Sequence, residues 1–276
     1  MYIYVYCTDK PNLKQSLFID ILRSDMNDIC VVISLYNEEK LIKDCIVSAR
    51  KLTSNVIVVD TESTDNTAGV ARSMGVKVYS YKKAPIIEPS RNFAIEKADA
   101  EWAYILDADE RFSQELVDEI KHIIKETNFT HFKGPRLNMF AQKWPMKHGG
   151  WWPDPIVRLI KKNSFIKWPK EIHSTPVIKG EMGTLKSPLL HFSQGNLNEM
   201  VEKTIRFEDK ESLLLYRGNR KASTLTFFRK FLAEFYRRFI RDKGILDGPT
   251  GLIASIYQAY SKTVTYLLLY EKSLNN

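Results

Sequence analysis

Four short strand-like runs separated by stretches of helical periodicity constrain this chain more than anything else in it. The runs are Ile29–Ser34, Asn55–Asp60, Val76–Ser80 and Trp102–Leu106. A run that is apolar at successive positions has no polar face to give to water, so it belongs inside a sheet covered on both sides. After the first run, Leu41, Ile42, Cys45, Ile46 and Ala49 fall on one helical face. After the second, Ala68, Val70 and Ala71 do the same, and Gly75 closes that helix. Strand, helix, strand, helix, strand with short connections gives an α/β fold with a doubly wound, mostly parallel sheet. Ser34 or Asn37 is the expected cap of the first helix, with Glu38 and Glu39 favouring its positive end. Pro89–Asn92 opens a further helix, and Ser113 caps another that carries Leu116, Ile120, Ile123 and Ile124.

The Trp102–Leu106 run leads directly into Asp107 and Asp109. Ligands of open α/β sheets bind outside the carboxyl ends of the strands. Two carboxylates there suit a hard divalent cation that shares its remaining positions with water and substrate phosphates. The segment after the first run reads Ser34-Leu35-Tyr36-Asn37-Glu38, not G-x-G-x-x-G, and no Walker loop is present. Phosphate must therefore be held another way, and a metal on Asp107 and Asp109 supplies one. Tyr36, at a strand tip, can stack on a base.

Beyond residue 128 the composition changes. Thr130–His191 is rich in Trp, Pro, His, Gly and Lys, with strand-like pieces at Thr130–Phe132 and Val157–Ile160. Its most unusual part, His148-Gly149-Gly150-Trp151-Trp152-Pro153-Asp154-Pro155, reads as a shaped binding loop. Aromatic faces there stack on sugar rings, and glycines let the backbone approach closely. From residue 196 the pattern is helical. Thr226–Arg241 interleaves Phe227, Phe228, Phe231, Leu232, Phe235, Tyr236, Phe239 and Ile240 with Arg229, Lys230, Arg237, Arg238 and Arg241, which suits an anionic bilayer face. Gly244–Gly251 reads as a turn before a last helix over Leu252–Tyr270.

Net charge matters here because it names classes of partner. With 41 Lys and Arg against 33 Asp and Glu, the chain carries +8 and favours polyanions or an anionic membrane. Cys7, Cys30 and Cys45 form no CxxC pair and read as buried small side chains in a reducing compartment. The first residues show no signal-peptide pattern, and no run is long and apolar enough to span a bilayer. The expected divisions are an extension of unassigned role over 1–28, a catalytic domain over 29–195 (a nucleotide-sugar half, 29–127, and an acceptor half, 128–195), and a helical segment over 196–276.

Taken together, Ser34–Glu38, Val58–Thr67 (Val-Val-Asp-Thr-Glu-Ser-Thr-Asp-Asn-Thr) and Leu106-Asp107-Ala108-Asp109-Glu110-Arg111 resemble glycosyltransferase family 2, the GT-A fold. His148–Asp154, Val157–Ile160, Leu189–Ser193 and Gly244–Gly248 are similar to one branch, the bacterial lipopolysaccharide-core β-glucosyltransferase-like proteins. That branch usually has His-Glu where this chain has His173-Ser174, so the Glu role is absent or falls to Glu171. The resemblance implies an inverting transfer of one sugar from a nucleotide diphosphate donor, with a uridine diphosphate sugar expected, to a glycan or glycolipid hydroxyl in surface polysaccharide or lipopolysaccharide-core synthesis. It implies Mn²⁺ or Mg²⁺ on Asp109 with Asp107, and His173 or His191 as a further ligand or diphosphate contact. Ser34, Tyr36, Glu38, Asp60, Arg91 and Asp107 fall at the nucleotide-sugar site. Trp151, Trp152 and Arg158 fall on the acceptor side. Inversion needs one base, for which Asp154 is the choice, with Glu110 and Glu171 as alternatives. The expected setting is peripheral, at the cytoplasmic face of a membrane bound through Thr226–Arg241, with no nucleic acid partner. Two other readings compete: a sugar-1-phosphate nucleotidyltransferase, which the missing Gly-rich loop disfavours, and a non-enzymatic basic module for membrane or nucleic acid, which leaves the carboxylate pair unexplained.

Overall fold

The structure is a computed structural model that describes residues 28–169, 174–192 and 197–274. Expectations that fall on the first 27 residues, on Glu171 and on His173 lie outside the described residues. The first part of the chain gives β1 (Ile29–Leu35), α1 (Glu39–Ala49), β2 (Val56–Asp60), α2 (Thr67–Ser73), β3 (Lys77–Ser80), α3 (Glu88–Lys97) and β4 (Trp102–Ile105). Then come β5 (Glu110–Phe112), α4 (Gln114–Ile123), β6 (His131–Gly134), β7 (Arg136–Phe140), β8 (Trp144–Pro145), β9 (Ile156–Lys161), β10 (Phe165–Lys167), β11 (Val177–Ile178), β12 (Met182–Thr184) and β13 (Leu189–His191). The chain continues in α5 (Leu197–Arg217), α6 (Thr224–Tyr236) and α7 (Gly248–Leu274).

These elements form two compact units, which the chain enters more than once. One takes its described residues from Met1–Ala108, Thr127–His131 and Arg158–Glu181. The other takes Asp109–Glu126, Phe132–Val157 and Met182–Asn276. In the first, the strands run in the order β9-β4-β1-β2-β3. β1 pairs parallel with both β2 and β4, β2 pairs parallel with β3, and β9 closes against β4 antiparallel. Every residue of β1, β2 and β4 is buried, which is why these strands carry no polar alternation. The α/β, doubly wound sheet expected from the sequence is therefore present.

One local expectation is corrected. Neither Ser34 nor Asn37 caps α1; the N-cap is Glu38, with no side-chain capping bond. Asn37 sits at φ 55° and spends its side chain on the neighbouring loop. A backbone in that left-handed region is tolerated by Asn better than by most residues.

In the second unit, β5-β13-β7-β8 form a four-stranded sheet, β13 running antiparallel to β5 and parallel to β7. Ser113 does cap α4, its Oγ accepting the Leu116 N–H at 3.2 Å. The last helix starts earlier than its apolar pattern suggests. A 3₁₀ turn over Gly244–Asp247 runs straight into α7 at Gly248. Gly251 makes this possible: a Cβ there would stand 1.9 Å from the Gly244 carbonyl oxygen. α7 packs on both α5 and α6. Phe227 of α6 meets Tyr270 edge-on with ring centroids 6.1 Å apart, while Leu225, Phe228, Leu232, Tyr236 and, in the π-helical turn that follows (Arg237–Arg241), Ile240 stand 47–76% exposed. No described helix is long and apolar enough to cross a membrane.

Candidate active site

In the first unit, the loops that leave β1 and β2 are fastened to each other. Asn37 donates its N–H to Ser63 Oγ at 2.9 Å and its amide nitrogen to Thr64 Oγ1 at 3.0 Å, while its amide oxygen accepts the Thr64 N–H at 2.8 Å. Glu38 donates its N–H to Thr67 Oγ1 at 2.9 Å, and Asp65 accepts from the Glu39 N–H at 3.2 Å. Much of the Asp60–Thr67 motif is thus spent on holding two strand-end loops in register. Ser34 differs: its hydroxyl is buried at the end of β1 with no hydrogen-bond partner among the described residues. A buried hydroxyl without a partner is costly, so it marks a place where a ligand group is welcome. Asp60, also buried, accepts only the long Ser63 N–H bonds of 3.3 and 3.4 Å among the bonds resolved. Tyr36 carries the Lys83 ammonium 3.5 Å from its ring centroid. The nearby Lys83 ammonium and Thr64 hydroxyl hold its phenol below the ordinary range.

Asp107 lies just past β4 and is gripped by two arginines of the same unit. Arg91 Nη2 donates to Oδ1 at 2.7 Å, and Arg158 Nη2 donates to Oδ2. Burial alone would raise this carboxyl, but the guanidiniums of Arg158 and Arg91 outweigh it and hold it well below the usual carboxylate range. Arg91 also stacks on Trp168, 4.8 Å from the ring centroid, and its buried Nε has no partner among the described residues. Guanidiniums are groups suited to an anionic leaving group. Arg158, expected on the acceptor side, is bonded to Asp107 here.

Asp109 has different company. In the second unit, His191 stands in register with Glu110 on one side and Asn138 on the other. The Asn138 amide nitrogen donates to the Trp151 carbonyl at 2.9 Å and to Asp154 Oδ2 at 3.1 Å. Its oxygen therefore faces His191 Nδ1, 2.6 Å away, which makes Nδ1 the donor. In the neutral ring, Nε2 then carries the lone pair, and it lies 3.3 Å from Asp109 Oδ2. An imidazole nitrogen facing a carboxylate is an arrangement that either a proton or a shared metal cation satisfies. A ligating His whose other nitrogen is fixed by an outer partner is the usual pattern at metal sites. One carboxylate and one imidazole suit Mn²⁺ at least as well as Mg²⁺, since imidazole favours transition metals. Among the described residues, no group of three or more His, Cys, Asp or Glu is poised to hold an ion, so water and a diphosphate would complete such a shell.

Asp154 is oriented from one side. Its Oδ2 accepts from Arg136 Nε at 2.8 Å and from Arg136 Nη2 at 2.7 Å, besides Asn138. Arg136 Nη1 in turn lies 3.6 Å from Glu110, whose side chain is fully buried. Glu110, the alternative base, thus lies buried beside Arg136. The loop that leads to Asp154 is anchored at several points. Asp247 Oδ2 accepts the Lys147 and His148 N–H groups at 3.0 and 2.8 Å, and its Oδ1 meets His148 Nδ1 at 2.6 Å. Arg238 donates to the Gly149 carbonyl at 2.9 Å and lies 4.2 Å from the Trp151 ring centroid.

Residues 30–182 match the family model Glycosyl transferase family 2. The chain belongs to glycosyl transferase family 2. Its fold is the GT-A type, with the C-terminal helical extension the sequence implied. An uncharacterized glycosyltransferase of Rickettsia typhi is 27% identical to this family 2 chain over 269 residues, covering 91% of this chain and 89% of that protein. The prophage-derived glycosyltransferase SunS of Bacillus subtilis is 27% identical over 167 residues, 59% of this chain and 38% of SunS. Among solved structures, S. aureus TarS 1–349 in complex with UDP-GlcNAc aligns with TM-score 0.49 and 14% identity, over 90% of this chain and 92% of that one.

For this family 2 enzyme, the site residues missing from the sequence reading are Arg136 and Asn138. Asn138 left one signal, a lone amide within the otherwise apolar Leu137–Phe140. Arg136 left none, because a single Arg at a strand start is ordinary.

Proposed function

We propose that this glycosyltransferase moves one sugar, with inversion, from a nucleotide diphosphate sugar, a uridine diphosphate sugar by expectation, to a hydroxyl of a glycan or glycolipid in surface polysaccharide or lipopolysaccharide-core synthesis. The observation that carries the reading is the Asn138–His191–Asp109 chain, in which the imidazole Nε2 is held 3.3 Å from a carboxylate oxygen. Asp109 and His191 are the residues that would hold Mn²⁺ or Mg²⁺. When bound, the ion neutralises charge on a diphosphate leaving group. In the first unit, Asp107 keeps Arg91 and Arg158 in place for an anion. Ser34, Tyr36 and Asp60 are the polar and aromatic groups offered to the nucleoside, with Glu38 beside them in sequence.

Asp154 is the proposed base. Arg136 and Asn138 fix its Oδ2, which orients the other oxygen toward an acceptor hydroxyl. Trp151 and Trp152 are the acceptor-side aromatics. The exposed face of α6, from Leu225 to Ile240, with Arg229, Lys230 and Arg241 nearby, supports attachment to an anionic bilayer at its cytoplasmic face.

The test is hydrolysis of a panel of nucleotide sugars with Mn²⁺, with Mg²⁺ and with EDTA. Release of a nucleoside diphosphate from one donor, dependent on the ion and reduced by about two orders of magnitude or more in Asp109→Ala, is the expected result. Hydrolysis by that variant at the wild-type rate would refute the assignment of the metal.

A further inference from the structure

The second unit contains an open pocket of about 180 Å³, set between α5 and α7 and walled by Trp151, the one lining residue that the chemistry above also uses. α5 contributes Lys203, Thr204, Phe207 and Glu208, which share one helical face; α7 contributes Tyr257 and Ser261. The volume is that of about six liquid waters, on the order of one pyranose ring.

The chemistry of the wall narrows the occupant. Glu208 is only 7% exposed, yet it carries a carboxylate into this wall, accepting the Ser261 hydroxyl at 2.6 Å and the Thr265 hydroxyl. Thr204 Oγ1 and Tyr257 OH share a hydrogen bond of 2.7 Å in which either atom can be the donor, so this pair can rotate to donate or to accept. A lipid chain would seal the Lys203 ammonium and the Glu208 carboxylate of this wall away from water. Lys203 and Glu208 give the wall one charge of each sign, and Lys262 Nζ lies 3.9 Å from Glu208 Oε2, so the wall favours neither a phosphate nor a bare cation. A neutral polyhydroxyl compound fits both constraints: its O–H groups donate to the carboxylate and exchange with the hydroxyl pair, and its C–H faces lie on aromatic rings. Phe207, half exposed, and Trp151 supply that aromatic surface. Trp151 is not loose, since Arg238 covers its ring and the Lys147–Gly149 backbone is tied to Asp247 and Asp242.

We propose that this cavity is a saccharide subsite that binds one neutral sugar ring of the acceptor glycan away from the ring that is glycosylated. The part that names the ligand as acceptor rests on the proposed transferase function; the saccharide site itself does not.

The experiment is saturation-transfer NMR with a panel of methyl glycosides on the wild-type protein, Phe207→Ala and Glu208→Gln, with nucleotide-sugar hydrolysis measured in parallel. The expected result is saturable binding of at least one glycoside by wild type, weakened at least about tenfold, or about 1.4 kcal/mol, in both variants, with hydrolysis unchanged. Absence of glycoside binding to wild type overturns the proposal, as does equal binding by Phe207→Ala. If Glu208→Gln fails to fold, Phe207→Ala decides, because its half-exposed ring can be removed without opening the core. Hydrolysis without glycoside binding sinks the subsite alone. Glycoside binding lost in the variants, with no donor hydrolysis by any form, keeps the subsite and sinks the transferase reading.

Discussion

Asn138→Ala is the perturbation that most directly tests how the candidate metal ligand is held. The substitution removes three side-chain bonds at once: to the Trp151 carbonyl at 2.9 Å, to Asp154 Oδ2 at 3.1 Å, and from His191 Nδ1 at 2.6 Å. Two are bonds between neutral groups, worth about 1 kcal/mol each, and the one to a carboxylate is worth about 2 kcal/mol. Asp154 is a third exposed and keeps Arg136, which trims its share. The three bonds also belong to one network and do not add fully, so the expected loss is about 2–3 kcal/mol. The functional effect is separate. Freed from Asn138, the His191 ring can rotate or change tautomer, and the loss of such an outer partner costs about 10–100-fold in metal affinity. Chemical denaturation reads the first number, and the Mn²⁺ concentration for half-maximal donor hydrolysis reads the second. Asn138→Asp separates them. It still accepts from His191 Nδ1, so metal affinity is kept, but it sets a second carboxylate against Asp154 and destabilises more than Ala. Half-saturation of Asn138→Ala at the wild-type Mn²⁺ concentration would refute the reasoning.

Three further outcomes follow from the structure. The Asp107 carboxyl is held below its unfolded value, so the stability it contributes is complete above about pH 4 and is lost as pH falls through its folded value. Asp107→Asn, which strands Arg91 and Arg158, is therefore destabilised most at neutral pH, and its gap to wild type narrows in acid; urea titrations at pH 7 and pH 3 check this. Burial pushes the Cys30 thiol up to about 11, and Cys45 is buried as well, so neither reacts with a thiol reagent until the protein is unfolded. Replacing Phe228 and Leu232 by Ser removes two exposed side chains from the outer face of α6, so sedimentation with anionic liposomes falls while the melting temperature stays; unchanged sedimentation would remove the membrane from the reading.

The sheet was legible because burial on both faces writes itself as β-branched and aromatic runs, and β1, β2 and β4 follow theirs within a residue or two. Asp107 and Asp109 were legible as a pair for the same reason, being the first acids after such a run. Their division of labour was not. Nothing in Asp-x-Asp says that one carboxylate will be taken by Arg91 and Arg158 and the other will face His191, because those partners arrive from 16, 51 and 82 positions away. The start of α7 was missed through Gly248 and Pro249, which read as a turn; Gly251 against Gly244 is a packing fact that no local pattern carries. The basic aromatic segment was readable as a helix. Which of its aromatics face outward was not, since the stripe of Phe227, Phe231 and Phe235 and the stripe of Phe228, Leu232 and Tyr236 look alike until α7 is seen against α6.

The fastening of the β1 loop to the β2 loop has a consequence for descent. Asn37, Ser63, Thr64, Asp65 and Thr67 are rivets, and removing any one loosens two loops at once. A lineage could exchange its donor, or abandon catalysis, and still be obliged to keep them. In this chain the Asp60–Thr67 motif is thus in large part a record of how the frame is joined, and the frame would need it even without the chemistry it carries.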